Sequence, residues 1–254
     1  MSIKRGSVAL LLAISGVFVG TEGYAQSIGM NWDSGRVAGG ILAANDSAGV
    51  IPQINWNNNL PSNVDGPSSG DTSNIVSPLA GKLVDNTGTD SGATVTWTTP
   101  NTWGASSGSS SGDRKLQQNL LFTQAGDAVV TFGNIPYSEY DVYVYISGGF
   151  NGGGGQTKNS INGGAVLTST APVHSSPWDE ASDGSGNYVL YSGLTASSFF
   201  VTQHDTSGQS GMQGVQIVNT GGVIPEPSTL VLAALGLMGL MGIGLGRRRK
   251  RVRG

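Results

Sequence analysis

The stretch Tyr140-Asp141-Val142-Tyr143-Val144-Tyr145-Ile146 has the period of a β-strand, with Val142, Val144 and Ile146 on one face and Asp141, Tyr143 and Tyr145 on the other. One face is aliphatic and the opposite face aromatic. A strand with two such faces belongs inside a two-layer sandwich or at its rim, because a shift of one residue would exchange the faces. Working outward, further β-branched or aromatic runs predict strands at 93–99, 127–132, 188–191, 198–203 and 214–218. Blocks of Gly, Ser, Asn and Thr separate them, and no segment between the termini sustains a helical period. The expected fold is all-β: a single β-sandwich of the jelly-roll type over residues 26–222. The polar stretches 62–73, 106–113 and 148–155 read as exposed loops within that one domain.

The two ends have a different composition. Lys4 and Arg5 precede an apolar stretch of 12 residues, Val8 to Val19, and Gly23-Tyr24-Ala25 supplies small residues where signal peptidase reads. Residues 1–25 are thus expected to be a signal peptide cut after Ala25. At the other end Pro225-Glu226-Pro227 is followed by 19 uncharged residues, Ser228 to Gly246, and then by Arg247, Arg248, Arg249, Lys250 and Arg251. At about 1.5 Å rise per residue the uncharged run reaches roughly 28 Å, close to a hydrocarbon core of about 30 Å. Prolines hold the chain open before this helix, and the basic cluster stops it on the cytoplasmic side.

The order of prolines, helix and basic end over 223–254 resembles the PEP-CTERM sorting signal of Gram-negative bacteria. The resemblance implies that Pro225, Glu226 and Pro227 are recognised by an exosortase, a membrane-embedded cysteine protease. It further implies a precursor in the inner membrane, removal of the tail, and delivery to the cell surface or extracellular matrix in a biofilm or exopolysaccharide setting. The alternative is a tail anchor that is never cut. A looser resemblance spans the region between the termini. Ile28-Gly29-Met30-Asn31-Trp32, the run from Ala48 to Asn58, and Gly211-Met212-Gln213-Gly214-Val215-Gln216-Ile217-Val218 look like the first and closing strands of exported domains on PEP-CTERM proteins. Such domains look similar to galactose-binding-like sandwiches.

Removing both ends changes the charge. From Gln26 to Ile224 five basic residues (Arg36, Lys82, Arg114, Lys115 and Lys158) face fourteen acids, a balance of −9. Such a surface gives no electrostatic basis for binding nucleic acid. The absence of cysteine excludes disulfides, thiolate metal sites and a cysteine nucleophile, so stability must come from packing.

Candidate chemistry is sparse. The chain has two histidines, His174 in a proline-bounded loop and His204 at the end of a predicted strand beside Asp205, and no Gly-x-Ser-x-Gly elbow around a serine with a strand before it and a helix after it. Both histidines read as surface residues, and no catalytic residue is assigned. For glycoside hydrolysis the only glutamates between the termini are Glu139 and Glu180, and nothing marks them as a pair. The acidic runs 85–90 and 179–183 offer oxygen ligands to a structural calcium without matching a calcium loop, so they read as solvated turns and no metal site is assigned. The five tryptophans offer indole faces for sugar stacking. Trp32, Trp56 and Trp97 lie in strand-like runs and read as core. Trp103 and Trp178 lie among Gly, Ser and Pro and are the candidate glycan-binding residues. The expected function is that of a non-enzymatic surface or matrix protein with a structural or adhesive role. The runner-up is a carbohydrate-binding module for matrix polysaccharide, and a polysaccharide hydrolase is third.

Overall fold

The computed structural model describes residues 25–221 except 38, 60–65, 106–110, 125, 149–154, 172–176, 183 and 207–209. The expected signal peptide, the sorting tail and His174 lie outside the described residues, as does most of the 148–155 loop. Among the described residues, no helix is long and apolar enough to cross a membrane.

The described chain is all-β and folds as a sandwich. One sheet runs β12 (Tyr188–Leu194), β9 (Tyr140–Gly148), β14 (Ser210–Asn219), β1 (Ser27–Asn31), β2 (Asn57–Asn59) and β4 (Ile75–Ser77). It is extended by β7 (Asn119–Phe122), which pairs with β14, and by β6 (Asn101–Gly104), which pairs with β7. The other sheet runs β11 (Leu167–Thr170), β10 (Gln156–Ile161), β13 (Phe199–His204), β8 (Ala128–Gly133), β5 (Thr94–Thr99) and β3 (Ser68–Asp71). Pairing is antiparallel except between β1 and β2.

Each of the six runs expected to be strands is a strand. In β5, Val95, Trp97 and Thr99 turn inward while Thr94, Thr96 and Thr98 face solvent, so the side-chain period places the core directly. The core between the sheets gathers Val142, Val144 and Ile146 of β9 with Trp32, Trp97, Phe132 and Phe199. Trp32 meets Trp97 and Phe132 meets Phe199, each pair with ring centroids 5.2 Å apart. Burying a side chain of this size contributes about 1.5–3 kcal/mol.

Strand β14 breaks strict alternation. Met212 and Val215 both enter the core although three positions separate them, which an unbroken strand forbids. A register shift between Met212 and Gly214 leaves Gln213 as the extra residue and resets the phase, so Val215 and Ile217 also point inward.

The aromatic face of β9 is not open to solvent. Tyr143 and Tyr145 anchor a second cluster with Leu42, Ala48, Trp56, Leu116 and Val218. Leu116 comes from a one-turn helix, α1 (Gly112–Leu116), that falls at the end of the expected 106–113 loop. Lys115 bonds Asp46 at 2.6 Å and the amide of Gly49 donates to Asp113 Oδ1 at 2.8 Å, so α1 holds the preceding loop against the sheet. Strand β3 likewise occupies part of the expected 62–73 loop.

Amide side chains complete this layer. Asn57, Asn58 and Asn59 are all buried. Asn57 Nδ2 donates to the carbonyls of Gly29 and Val84, each at 2.8 Å, and its Oδ1 accepts from the Val84 amide. Asn58 Oδ1 accepts from Asn31 Nδ2 and from the Leu42 amide. Asn57 and Asn58 thus satisfy backbone groups of Val84 and Leu42, which lie outside the named strands.

Candidate functional site

The outward face of the long sheet holds the aromatic group that could meet a ligand. Register places Tyr188 opposite Tyr145 and Leu190 opposite Tyr143, so all four side chains share that face. Trp178 lies over them, its ring 4.6 Å from that of Tyr145 at a tilt of 55°. Tyr143 and Tyr188 are 5.9 Å apart.

Local hydrogen bonds explain how a loop tryptophan is fixed there. Asn187 Oδ1 accepts from the Asp179 amide at 2.8 Å, and its Nδ2 donates to the Pro177 carbonyl at 3.0 Å, clamping the backbone on both sides of Trp178. The Asn187 amide donates in turn to the Asp179 carbonyl, and Ala181 N donates to Tyr188 O. Gly186 makes the close approach achievable. Its φ is +127°, and a Cβ there would stand 2.7 Å from the Asp179 carbonyl oxygen.

Trp178 is half-buried, while Asp179 and Glu180 beside it are exposed. Its indole nitrogen is buried without a hydrogen-bond partner. Burial raises the Tyr188 phenol above its usual range, and neighbouring Glu180 and Asp179 add to the shift, so this hydroxyl remains protonated at neutral pH. Tyr145 is raised further by burial and is fully committed: it donates to Gln216 Oε1 at 2.7 Å and accepts from the Val50 amide at 2.8 Å. The site is thus a partly exposed indole and phenol beside two carboxylates, on a base locked from below. Apolar ring faces flanked by hydroxyl and carboxylate groups suit a neutral polyhydroxylated ligand.

Trp103 does not join this group. It lies in β6 rather than in a loop, opposite Leu120 of β7. The Arg36 guanidinium stands 3.5 Å from its ring centroid and Phe122 lies 6.1 Å away. The cation covers one face of the half-buried indole, so less of this ring is open for stacking. Trp32, Trp56 and Trp97 are core, as the sequence indicates, with exposures of 0%, 0% and 3%.

The acidic turn at 85–90 is spoken for as well. Asp85 Oδ1 accepts from Thr87 N, Thr87 Oγ1 and Thr89 N, and Oδ2 accepts from Gln26 Nε2. Burial pushes its pKa up, but these hydrogen bonds together outweigh that and hold it below the usual value. Asp90 pairs with Lys82 at 3.0 Å. No group of three metal-ligating side chains occurs among the described residues. Glu139 and Glu180 are both exposed.

His204, expected as a surface residue, is half-buried and has two partners. Its ring nitrogens lie 2.9 Å from Ser160 Oγ and 3.1 Å from Asp127 Oδ2.

No protein-family model matches the chain, and no curated protein is significantly similar to it. Among solved structures, the GH26-CBM35 beta-(1,4)-mannanase of Podospora anserina is similar at 13% identity and a TM-score of 0.23, over 65% of this chain. The chain spans 30% of that enzyme's length, and a likeness at this score carries no argument about fold or activity.

The sequence marked Trp178 by its setting and Tyr143 and Tyr145 by their alternation. It gave no sign of Tyr188, Asn187 or Gly186, whose roles depend on two segments meeting side by side.

Proposed function

We propose that the chain is an exported protein, sorted through its PEP-CTERM-like tail to the cell surface or extracellular matrix, where a jelly-roll-type sandwich has a structural or adhesive role. The observation that carries this reading is the ordered succession of Pro225-Glu226-Pro227, an uncharged membrane-length run and a basic end. The partners it implies are signal peptidase and an exosortase, with the inner membrane holding the precursor. Mass spectrometry of the mature C-terminus, with and without Glu226→Ala, tests it. A clipped end that depends on Glu226 is expected; an intact Arg-rich end in the wild type overturns the sorting reading and leaves a simple anchor.

A second reading, binding of matrix polysaccharide, is favoured by the half-buried Trp178 packed on Tyr145 beside Tyr188 and Glu180. Trp178 would stack on a sugar ring while Glu180 and the Tyr188 hydroxyl bond its hydroxyls. Glycan-array binding that falls about tenfold or more in Trp178→Ala and is unchanged in Trp103→Ala supports it. Equal binding by all three proteins removes Trp178 from any glycan site.

A further inference from the structure

Asp127, Ser160 and His204 are far apart in the chain and meet on the outward face of the six-stranded sheet. Strands β10 and β13 are antiparallel, with Lys158 opposite His204 and Ser160 opposite Thr202. Ser160 is therefore the diagonal neighbour of His204 on one face. Asp127 immediately precedes β8, the strand on the other side of β13.

Hydrogen-bond chemistry fixes the proton positions. A carboxylate only accepts, so in the neutral ring the proton sits on Nδ1 and is donated to Asp127 Oδ2. Nε2 then has only a lone pair and accepts from the Ser160 hydroxyl. Asp127 is itself held, its Oδ1 accepting from the Asp205 amide at 2.8 Å. The His204 and Asp127 side chains remain 31% and 46% exposed, so the imidazole is within reach of solvent.

We propose that Ser160 is an activated nucleophile that hydrolyses small O-acyl esters, with His204 as general base and Asp127 as the positioning residue. Ser160 Oγ forms a bond to the ester carbonyl carbon as its proton passes to His204 Nε2. The carbon–oxygen bond to the alcohol breaks, and that oxygen takes the proton from Nε2. Water then attacks the acyl-serine and gives a proton to Nε2. The bond to Oγ breaks, Oγ recovers the proton, and the carboxylic acid leaves. The net reaction is ester plus water to alcohol plus acid.

The surroundings select the substrate. Ser160 is only 2% exposed, so acylation requires neighbouring side chains to move aside, which favours a slim acyl group such as acetyl over a bulky one. Farther out, the same sheet face carries the exposed side chains of Thr131, Thr168 and Phe200, which suits an acyl group borne on a larger flat carrier. Lys158 lies on the same face, directly opposite His204. This activity is independent of both the sorting tail and the Trp178 face.

The mature protein is incubated with 4-nitrophenyl acetate and, separately, with a fluorophosphonate probe whose adduct is located by peptide mass spectrometry. Covalent labelling at Ser160 is expected, with ester turnover falling about 100-fold or more in Ser160→Ala and in His204→Ala. Thr202→Ala, across the ladder from Ser160, leaves turnover unchanged. Asp127→Asn lowers turnover and displaces the pH profile, which a residue with a purely structural role would leave in place. Absence of a Ser160 adduct in the folded wild type overturns the proposal and needs no variant to read. An adduct that forms equally fast in folded His204→Ala overturns it too.

Discussion

Replacing Tyr145 by Phe keeps the ring and removes one oxygen, which isolates the bonds that seal the second cluster. That oxygen joins two groups from distant parts of the chain: Gln216 Oε1, to which it donates at 2.7 Å, and the Val50 amide, from which it accepts at 2.8 Å. Gln216 is completely buried, and Oε1 has no other donor among its hydrogen bonds. No cavity of consequence forms, so the cost is that of two orphaned polar groups, about 1–3 kcal/mol each. Val50 is less enclosed than Gln216 and recovers part of its share from water, which places the total at about 2–4 kcal/mol. With a urea slope of about 2–3 kcal/mol/M, the unfolding midpoint falls by roughly 1 M at constant slope. Native-state hydrogen exchange supplies the local readout: the Val50 amide loses protection beyond the global change, and the 48–53 segment follows it. A midpoint shift below about 0.2 M with Val50 protection unaltered would falsify the reasoning, because the buried network would then contribute nothing.

Gly186→Ala places a Cβ 2.7 Å from the Asp179 carbonyl at a φ of +127°. The expected cost is about 2–4 kcal/mol in chemical denaturation, with a red-shifted tryptophan emission as Trp178 leaves Tyr145. Arg36→Ala uncovers the Trp103 ring and is expected to cost about 0.5–1 kcal/mol from the cation–π contact, measurable by the same melt. Asp85 has a folded pKa below its ordinary 3.8, so its hydrogen bonds favour the native state above that value, and this contribution is lost as pH falls through the folded pKa. Asp85→Asn should therefore lower Tm at pH 6 and make progressively less difference as the pH falls below 3.8. A deficit that stays constant with pH would refute the assignment.

Much of the fold was legible because side-chain alternation is a local property of extended backbone. Thr94 to Thr99 and Tyr140 to Ile146 show their inward faces without knowledge of any partner. The short strands β3 and β6 and the strand β10 carried little signal: β3 falls in a polar stretch, Trp103 of β6 lies among Gly and Ser, and Gln156-Thr157-Lys158-Asn159-Ser160 has no apolar alternation. They are strands because neighbouring chain supplies their ladders. The same distinction separates Trp178 from Trp103. Both looked like exposed indoles by composition, yet Arg36, 67 positions earlier in the chain, covers one of them.

By itself the sequence determined the layer type, the inward and outward faces of the central strands, the absence of thiol chemistry and the charge contrast between the ends and the middle. Each follows from residue type and spacing along one segment. Only the tertiary structure decided which aromatic rings stay exposed, that Gln213 is the extra residue resetting β14, and that His204 stands between Ser160 and Asp127. Those outcomes depend on the register between strands far apart in sequence, which the summed packing of the whole sandwich selects.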